Sequence, residues 1–242
     1  MSQTLYAIGD VHGQHELLLD ALALIALDGG ADAQVVVIGD LVDRGPDSCG
    51  VINTLMEGIA AGRNWTVLMG NHDRLFETFL RTGGITHPKM RPSYTWLSPQ
   101  LGGLETLASY GVDTSLPEAA LRAAALEAVP EAQRAFLAGL PLYHESESCL
   151  FVHAGLQPRL PLAWQTEDDL IWIRDAFLNH DEPFEKLVIH GHTAVEAAEH
   201  KGNRVNIDSG AGFGRALTTV VIEGTDVFTL EEDGRKPLTP KG

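Results

Sequence analysis

Through the first half of the chain, short apolar runs alternate with longer stretches of helical period, and each run stops at a glycine followed by Asp or Asn. Leu5 to Ile8 leads into Gly9-Asp10, Val35 to Ile38 into Gly39-Asp40, and Trp65 to Met69 into Gly70-Asn71. Such runs, bounded by turn residues, read as strands. Between them, Glu16 to Leu27 carries Leu17, Leu18, Leu22 and Ile25 at helical spacing, and Ser48 to Ala61 carries Val51, Ile52, Leu55, Met56 and Ile59. The alternation predicts βαβ units whose parallel strands deliver loops to one sheet edge, where α/β proteins place their ligands.

Residues 82–100 hold three prolines, a Gly-Gly pair, Tyr94 and Trp96, which predicts an irregular excursion beside the third loop, either bordering a pocket or lying on the surface. Leu101 to Gly139 is rich in Ala and Leu, with Pro117 and Pro130 placed as helix starts, so two or three short helices are expected there. From Tyr143 onward the pattern turns to short strands at Tyr143 to Ser146, Cys149 to His153, Leu187 to His190, Arg204 to Asp208, Leu217 to Ile222 and Val227 to Leu230. These predict a second sheet facing the first. The expected architecture is α/β (α+β), a four-layer α/β/β/α sandwich of two facing mixed sheets flanked by helices. It forms one domain over residues 1–242, with a helical insertion at about 82–140. The tail from Arg235 to Gly242 is expected to fray.

Composition narrows the function classes. A chain of 242 residues with 44% hydrophobic and 21% charged residues, and mean hydropathy near zero, is an ordinary globular composition. Its size allows burial of roughly 70% of the unfolded surface. The formal charge of −16 repels polyanions, so neither nucleic acid nor an anionic membrane is an expected partner. Cys49 and Cys149 are too few for a disulfide framework and are expected as reduced core thiols. The first residues lack a basic, then apolar, signal pattern, and no run approaches the ~18 apolar residues of a membrane span, so a cytoplasmic location is expected.

The chemistry lies in five loops that follow five apolar runs: Gly9-Asp10-Val11-His12-Gly13, Gly39-Asp40-Leu41-Val42-Asp43-Arg44-Gly45, Gly70-Asn71-His72-Asp73, Val152-His153-Ala154-Gly155 and His190-Gly191-His192-Thr193. Singly, an Asp after a strand is a common helix cap or turn residue. Five such loops in this order point to a metal centre. Carboxylate and amide oxygens mixed with imidazoles, with no thiolate, suit Mn²⁺, Fe or Zn²⁺.

These motifs resemble the calcineurin-like metallophosphoesterases, specifically the phosphoprotein phosphatase family with its G-D-x-H-G, G-D-x-V-D-R-G and G-N-H-[ED] signatures, over about residues 5–222. The chain resembles compact bacterial and phage-type Ser/Thr protein phosphatases, with Asp73 standing where eukaryotic members have Glu. The resemblance implies two divalent ions, Mn²⁺ first among them, one held by Asp10, His12 and Asp40 and the other by Asp40, Asn71, His153 and His192. Asp40 would bridge them, and His190 has no ligand role. It implies hydrolysis of phosphate monoesters by a water-derived nucleophile, with a phosphoprotein or phosphopeptide as substrate. Arg44, Asn71 and Arg174 would contact the phosphate, and His72 would donate a proton to the leaving alkoxide while Asp43 fixes its tautomer. For Arg174 an ion pair with Asp175 or Asp169 stands as the plain alternative.

Four other functions compete with this reading. Symmetric diadenosine tetraphosphate hydrolases share the metal set but tend to have Ala where Asp43 stands. A sugar or nucleotide phosphatase would use the same residues. A non-catalytic regulatory module would require a lost ligand, and none is lost; a nuclease is disfavoured by the acidic surface and by Thr193-Ala194 after His192.

Overall fold

The computed structural model describes residues 4–240. In chain order the elements are β1 (Thr4–Ile8), α1 (His15–Gly29), β2 (Gln34–Val37), α2 (Ser48–Ala60), β3 (Trp65–Val67), α3 (Asn71–Thr82), α4 (Gly103–Ser109), α5 (Glu118–Ala128), α6 (Glu131–Ala138), β4 (Tyr143–Glu145), β5 (Cys149–Val152), α7 (Glu167–Trp172), α8 (Asp175–Leu178), β6 (Leu187–His190), β7 (Glu199–His200), β8 (Arg204–Asn206), β9 (Thr219–Glu223), β10 (Asp226–Glu231) and β11 (Gly234–Pro237). They build two sheets, in the orders β11-β10-β9-β1-β2-β3 and β4-β5-β6-β8-β7. β1, β2 and β3 are parallel, as are β5, β6 and β8.

Alternation along each strand assigns the layers. Leu5, Ala7, Val36 and Ile38 face an inter-sheet core completed by Phe151, Ile189, Val205, Ile207, Val220 and Ile222. Their neighbours Tyr6, Ile8, Val35 and Val37 face the helices and pack with Leu18, Ile25, Val51, Ile52 and Leu55. On the far side of the second sheet, Leu150, Val152 and Val188 join the core that includes Leu170, Ile171 and Phe177. A one-residue slip would exchange these faces, and each fully buried Val, Leu or Ile is worth about 1.5–3 kcal/mol, so the register is strongly fixed. The result is the expected α/β/β/α arrangement of two mixed sheets.

Several particulars differ from the sequence reading. The runs at Leu217 to Ile222 and Val227 to Leu230 form β9 and β10 in the first sheet, not the second, with β9 antiparallel to β1 from Thr4↔Glu223 to Ile8↔Thr219. Apolar alternation shows that a strand is sandwiched but does not say against which partner. The tail does not fray at once, because β11 pairs with β10. Arg235 donates to Asp28 at 2.7 to 3.0 Å and to Glu223 at 2.6 Å, while Tyr6 Oη donates to Asp28 at 2.6 Å. Residues 241–242 lie outside the described residues. Cys149 is buried as expected and Cys49 only half-buried; both are free thiols.

Helix α3 is an element that the sequence reading passed over. Leu75, Phe76, Phe79 and Leu80 give it a buried stripe, and it ends at left-handed Gly83, whose amide donates to Phe79 O. The helix starts at Asn71, so two candidate site residues, Asn71 and His72, occupy its first turn. As expected, α5 and α6 begin directly after Pro117 and Pro130. Among the described residues no helix is long and apolar enough to cross a membrane.

Candidate metal centre

Loops leaving the ends of β1, β2, β3, β5 and β6 interlock at one edge of the sandwich. The Val11 and His12 amides donate to Asp40 O at 3.0 and 2.7 Å, and the Gly191 amide donates to His153 O at 2.8 Å. Asp73 ties two loops together by accepting from the amides of Leu41 and Gly70, each at 2.9 Å. The packing is tight enough that a Cβ on Gly191 would lie 2.0 Å from Asp10 Oδ1. Among the described residues, five of the six non-glycine residues with positive φ belong to these loops: His12 (49°), Asp40 (49°), Asp43 (74°), Arg44 (70°) and His192 (65°). Each such conformation costs of order 1–3 kcal/mol and persists only where the surroundings over-determine it.

Asp40 stands in the middle. Its Oδ2 is 3.5 Å from His12 Nε2 and its Oδ1 is 3.4 Å from His153 Nε2. His12 donates from Nδ1 to Val42 O at 2.9 Å, and His153 donates from Nδ1 to Ile38 O at 3.0 Å. Those bonds leave each Nε2 as an acceptor beside Asp40, and at His12 that acceptor is met by Arg44 Nη1. His153 Nε2 also faces Asn71 Oδ1 at 3.0 Å, so acceptors confront one another. Asp10 accepts the His192 amide at Oδ2, 3.0 Å away, whereas Asp10 Oδ1 and His192 Nε2 are buried without a partner among the described residues. A buried polar atom left alone costs about 1–3 kcal/mol. Cations among these atoms would satisfy the orphans and separate the opposed lone pairs, so the donor set fits divalent metal.

The nitrogen and oxygen donors form two clusters sharing Asp40: His12, Asp40 and His72 in one, and Asp40, His153 and His192 in the other, with ligand atoms within 4.8 Å of one another. Asp10 is in neither cluster, but its unpartnered oxygen abuts Gly191, beside His192. Burial raises the Asp10 carboxyl well above the usual range, with the carboxylates of Asp208 and Asp40 adding to it. Asp208 is pushed up to about 6 and Asp73 to about 8, burial first and the Asp40 charge adding in each case. Burial alone would raise Asp40 too, but the surrounding imidazoles, His153 foremost, hold it well below. Burial also lowers His12, His153 and His192, favouring the neutral imidazole that binds metal.

Beside the ligands, His72 Nδ1 donates to Asp43 Oδ2 at 2.6 Å, both groups being buried. His72 Nε2 accepts from Arg44 Nη2 at 3.0 Å, and the same guanidinium donates from Nη1 to His12 Nε2 at 2.6 Å. Arg44 also lies over the exposed Phe213 ring, 4.6 Å from its centroid. The second arginine, Arg174, makes no ion pair within 4.0 Å of Asp175 or Asp169; Asp169 instead closes a capping box with Thr166. Arg174 donates to Thr193 Oγ1 at 2.9 Å, next to His192. His190 is buried edge-on to Phe177 with its Nε2 unpartnered among the described residues, and it belongs to neither donor cluster.

Three nearby residues escape a reading of the sequence. Trp96, expected near a pocket or on the surface, is fully buried and donates its indole N–H to Asp43 Oδ2 at 2.9 Å. Thr106 of α4 donates to Asp43 Oδ1 at 2.7 Å. Asp208 adds a buried carboxylate whose charge acts on Asp10. None sits in a glycine-bracketed loop of the kind that marks the ligands.

Comparison with known proteins bears on the family and the fold. The family model described as calcineurin-like phosphoesterase matches residues 4–212. The symmetrical bis(5'-nucleosyl)-tetraphosphatase of Nitrosomonas europaea is 43% identical over 68 residues, which is 28% of this chain and 24% of that protein; the chain matches only about a quarter of the length of such relatives. Over nearly full length, serine/threonine-protein phosphatase 1 of Salmonella typhimurium is 27% identical, covering 90% of this chain and 91% of its own. The symmetrical tetraphosphatase of Vibrio campbellii is 26% identical, covering 93% and 98%. Among solved structures, a cold-active protein tyrosine phosphatase superposes with TM-score 0.63 at 17% identity, covering 99% of this chain and 80% of its own, which establishes a shared fold.

Proposed function

The chain belongs to the calcineurin-like phosphoesterases, metal-dependent hydrolases of phosphate esters, and from that premise we propose that it removes phosphate from proteins, acting on phosphoserine and phosphothreonine and also on phosphotyrosine. Asp10, His12 and Asp40 would hold one divalent ion, and Asp40, Asn71, His153 and His192 a second, with Mn²⁺ preferred over Fe or Zn²⁺. When bound, such a pair supplies a nucleophile from water at neutral pH and offsets charge on the attacking and leaving oxygens.

The protein's own groups do the rest. Arg44, whose fork already rests on the imidazoles of His12 and His72, turns to the phosphoryl oxygens and binds them bidentately, while Arg174 approaches from the His192 side. The Asn71 amide adds a further contact. His72, with Nδ1–H on Asp43, carries a second proton on Nε2 and gives it to the departing oxygen; Asp43 keeps the ring oriented and stabilises the imidazolium before transfer.

The observation that carries this reading is the buried Asp43–His72 pair at 2.6 Å. A serine or threonine alkoxide is a basic leaving group that needs an acid, whereas a nucleotide leaving through a phosphate oxygen needs little help. The charge of −16 also supports a substrate other than nucleic acid. A second reading, symmetric hydrolysis of diadenosine tetraphosphate, draws support from the relatives that bear that name. The test is one Mn²⁺-loaded preparation assayed on phosphopeptides, diadenosine tetraphosphate, nucleotides and sugar phosphates. Highest kcat/KM on phosphopeptides is expected; a clear preference for diadenosine tetraphosphate would replace the first reading with the second.

A further inference from the structure

We propose that the irregular segment between α3 and α4, together with the start of α4, is the positioning scaffold of the general acid, with Trp96 and Thr106 holding Asp43, and through it His72, in working geometry. The inference rests on His72 being the proton donor.

Asp43 is fully buried, and its carboxylate is held by three donors: His72 Nδ1–H at 2.6 Å and Trp96 Nε1–H at 2.9 Å share Oδ2, while Thr106 Oγ1–H at 2.7 Å takes Oδ1. Thr106 grips the same residue at its other end, because the Asp43 amide donates to Thr106 Oγ1 at 2.8 Å and to Ser48 Oγ at 3.1 Å. The next residue is held as well: the Arg44 amide donates to Gly102 O at 3.4 Å. Gly102 has φ of +88° and approaches so closely that a Cβ there would meet the Arg44 nitrogen at 2.2 Å.

These grips fall on two consecutive residues with positive φ, Asp43 and Arg44, a conformation that relaxes unless its surroundings fix it. Trp96 is itself anchored. Its ring stacks on Phe76 with centroids 5.5 Å apart and lies against Phe79 at 4.8 Å, one and two turns after His72 on α3. The path from His72 through Asp43 and Trp96 thus returns to the helix that bears His72. With all three donors present the carboxylate is clamped at both oxygens; losing either the Trp96 or the Thr106 donor loosens that clamp, and with it the partner that aligns His72 Nε2 with the leaving oxygen.

The experiment uses full-length, Mn²⁺-loaded Trp96→Phe, Thr106→Val, Thr106→Ser and His72→Asn enzymes on aryl phosphates ranging from p-nitrophenyl to phenyl. Trp96→Phe keeps an aromatic ring and removes the N–H; Thr106→Val keeps the shape and removes the hydroxyl. The expected result is that kcat depends more steeply on leaving-group basicity. On phenyl phosphate the loss should be about tenfold, part of the about 10²–10⁴-fold that a general acid supplies, with little loss on p-nitrophenyl phosphate and unchanged KM and metal content. Thr106→Ser should restore wild-type behaviour, and adding Thr106→Val to His72→Asn should cost nothing more. Should Thr106→Val fail to fold, Trp96→Phe makes the same test at the other oxygen. Equal losses along the series, or additive losses in the double variant, would overturn the positioning role while leaving His72 in place if His72→Asn itself shows the steep dependence. A flat series for His72→Asn would remove the general acid, and this inference with it.

Discussion

Gly191→Ala tests the centre with a single methyl group. Gly191 lies outside the left-handed φ region, so alanine is conformationally allowed and the cost is contact alone. Its Cβ would fall 2.0 Å from Asp10 Oδ1, where ordinary van der Waals contact begins at 3.4 Å, so the carboxylate or the loop must yield by about 1.4 Å. The atom struck is the buried oxygen that has no partner and is a candidate metal ligand. Overpacking typically costs about 1–3 kcal/mol, which in a domain of this size lowers Tm by roughly 2–12 °C. A displacement on the order of 1 Å at a reacting centre costs about 10²-fold in rate, or about 2.7 kcal/mol of barrier.

The assay pairs turnover on p-nitrophenyl phosphate and metal content with melting curves taken with and without chelator. The steric term is expected in both melts; the loss of metal stabilisation appears only in the loaded protein, because a ligand stabilises only the state that binds it. Two bound ions and unchanged turnover in Gly191→Ala would refute the packing of Asp10 against this loop and its place among the ligands.

Three further outcomes are expected. Asp40→Asn should cost more activity than any other single ligand change and deplete both ions, because among the described residues Asp40 is the only side chain in both donor clusters; near-normal metal content and rate would exclude a bridging role. Arg174→Ala should raise KM and lower kcat with metal content intact, since among the described residues its one side-chain hydrogen bond is to Thr193 beside His192 and no ion pair holds it elsewhere; unchanged kinetics would return it to the surface. Chelation should abolish turnover and Mn²⁺ should restore it, because the proposed nucleophile is a water made reactive by bound metal; full rate in verified metal-free enzyme would contradict the proposal.

The six candidate ligands were legible because each follows an apolar run, and the ends of parallel strands are where such a fold delivers loops. Asp43, Arg44 and His72 came with them, since they lie within the same loops. Trp96 and Thr106 did not, for they stand 53 and 63 residues from Asp43 and their side chains meet it only after α3 and α4 have packed. The partner of β9 was illegible for a related reason: Val220 and Ile222 face the inter-sheet core, and the same alternation would suit either sheet. The hold of Arg235 on Asp28 spans 207 residues, and nothing near either residue announces it.

The pairing of β1 with β9, which joins Thr4 to Glu223 across the first sheet, has a consequence for the order in which the molecule assembles. β1 is flanked by β2 on one side, a neighbour available early, and by a strand some two hundred residues away on the other. A growing chain can build β1, β2, β3 and their helices, yet it leaves an open hydrogen-bonding edge beside the Asp10 loop until β9 arrives. Closing so long a loop is entropically costly and slow compared with local contacts. His192 follows β6 of the second sheet and is tied to Asp10 through its amide, so the donor set comes together only once the second sheet has docked on the first, whether or not β9 has yet closed that edge.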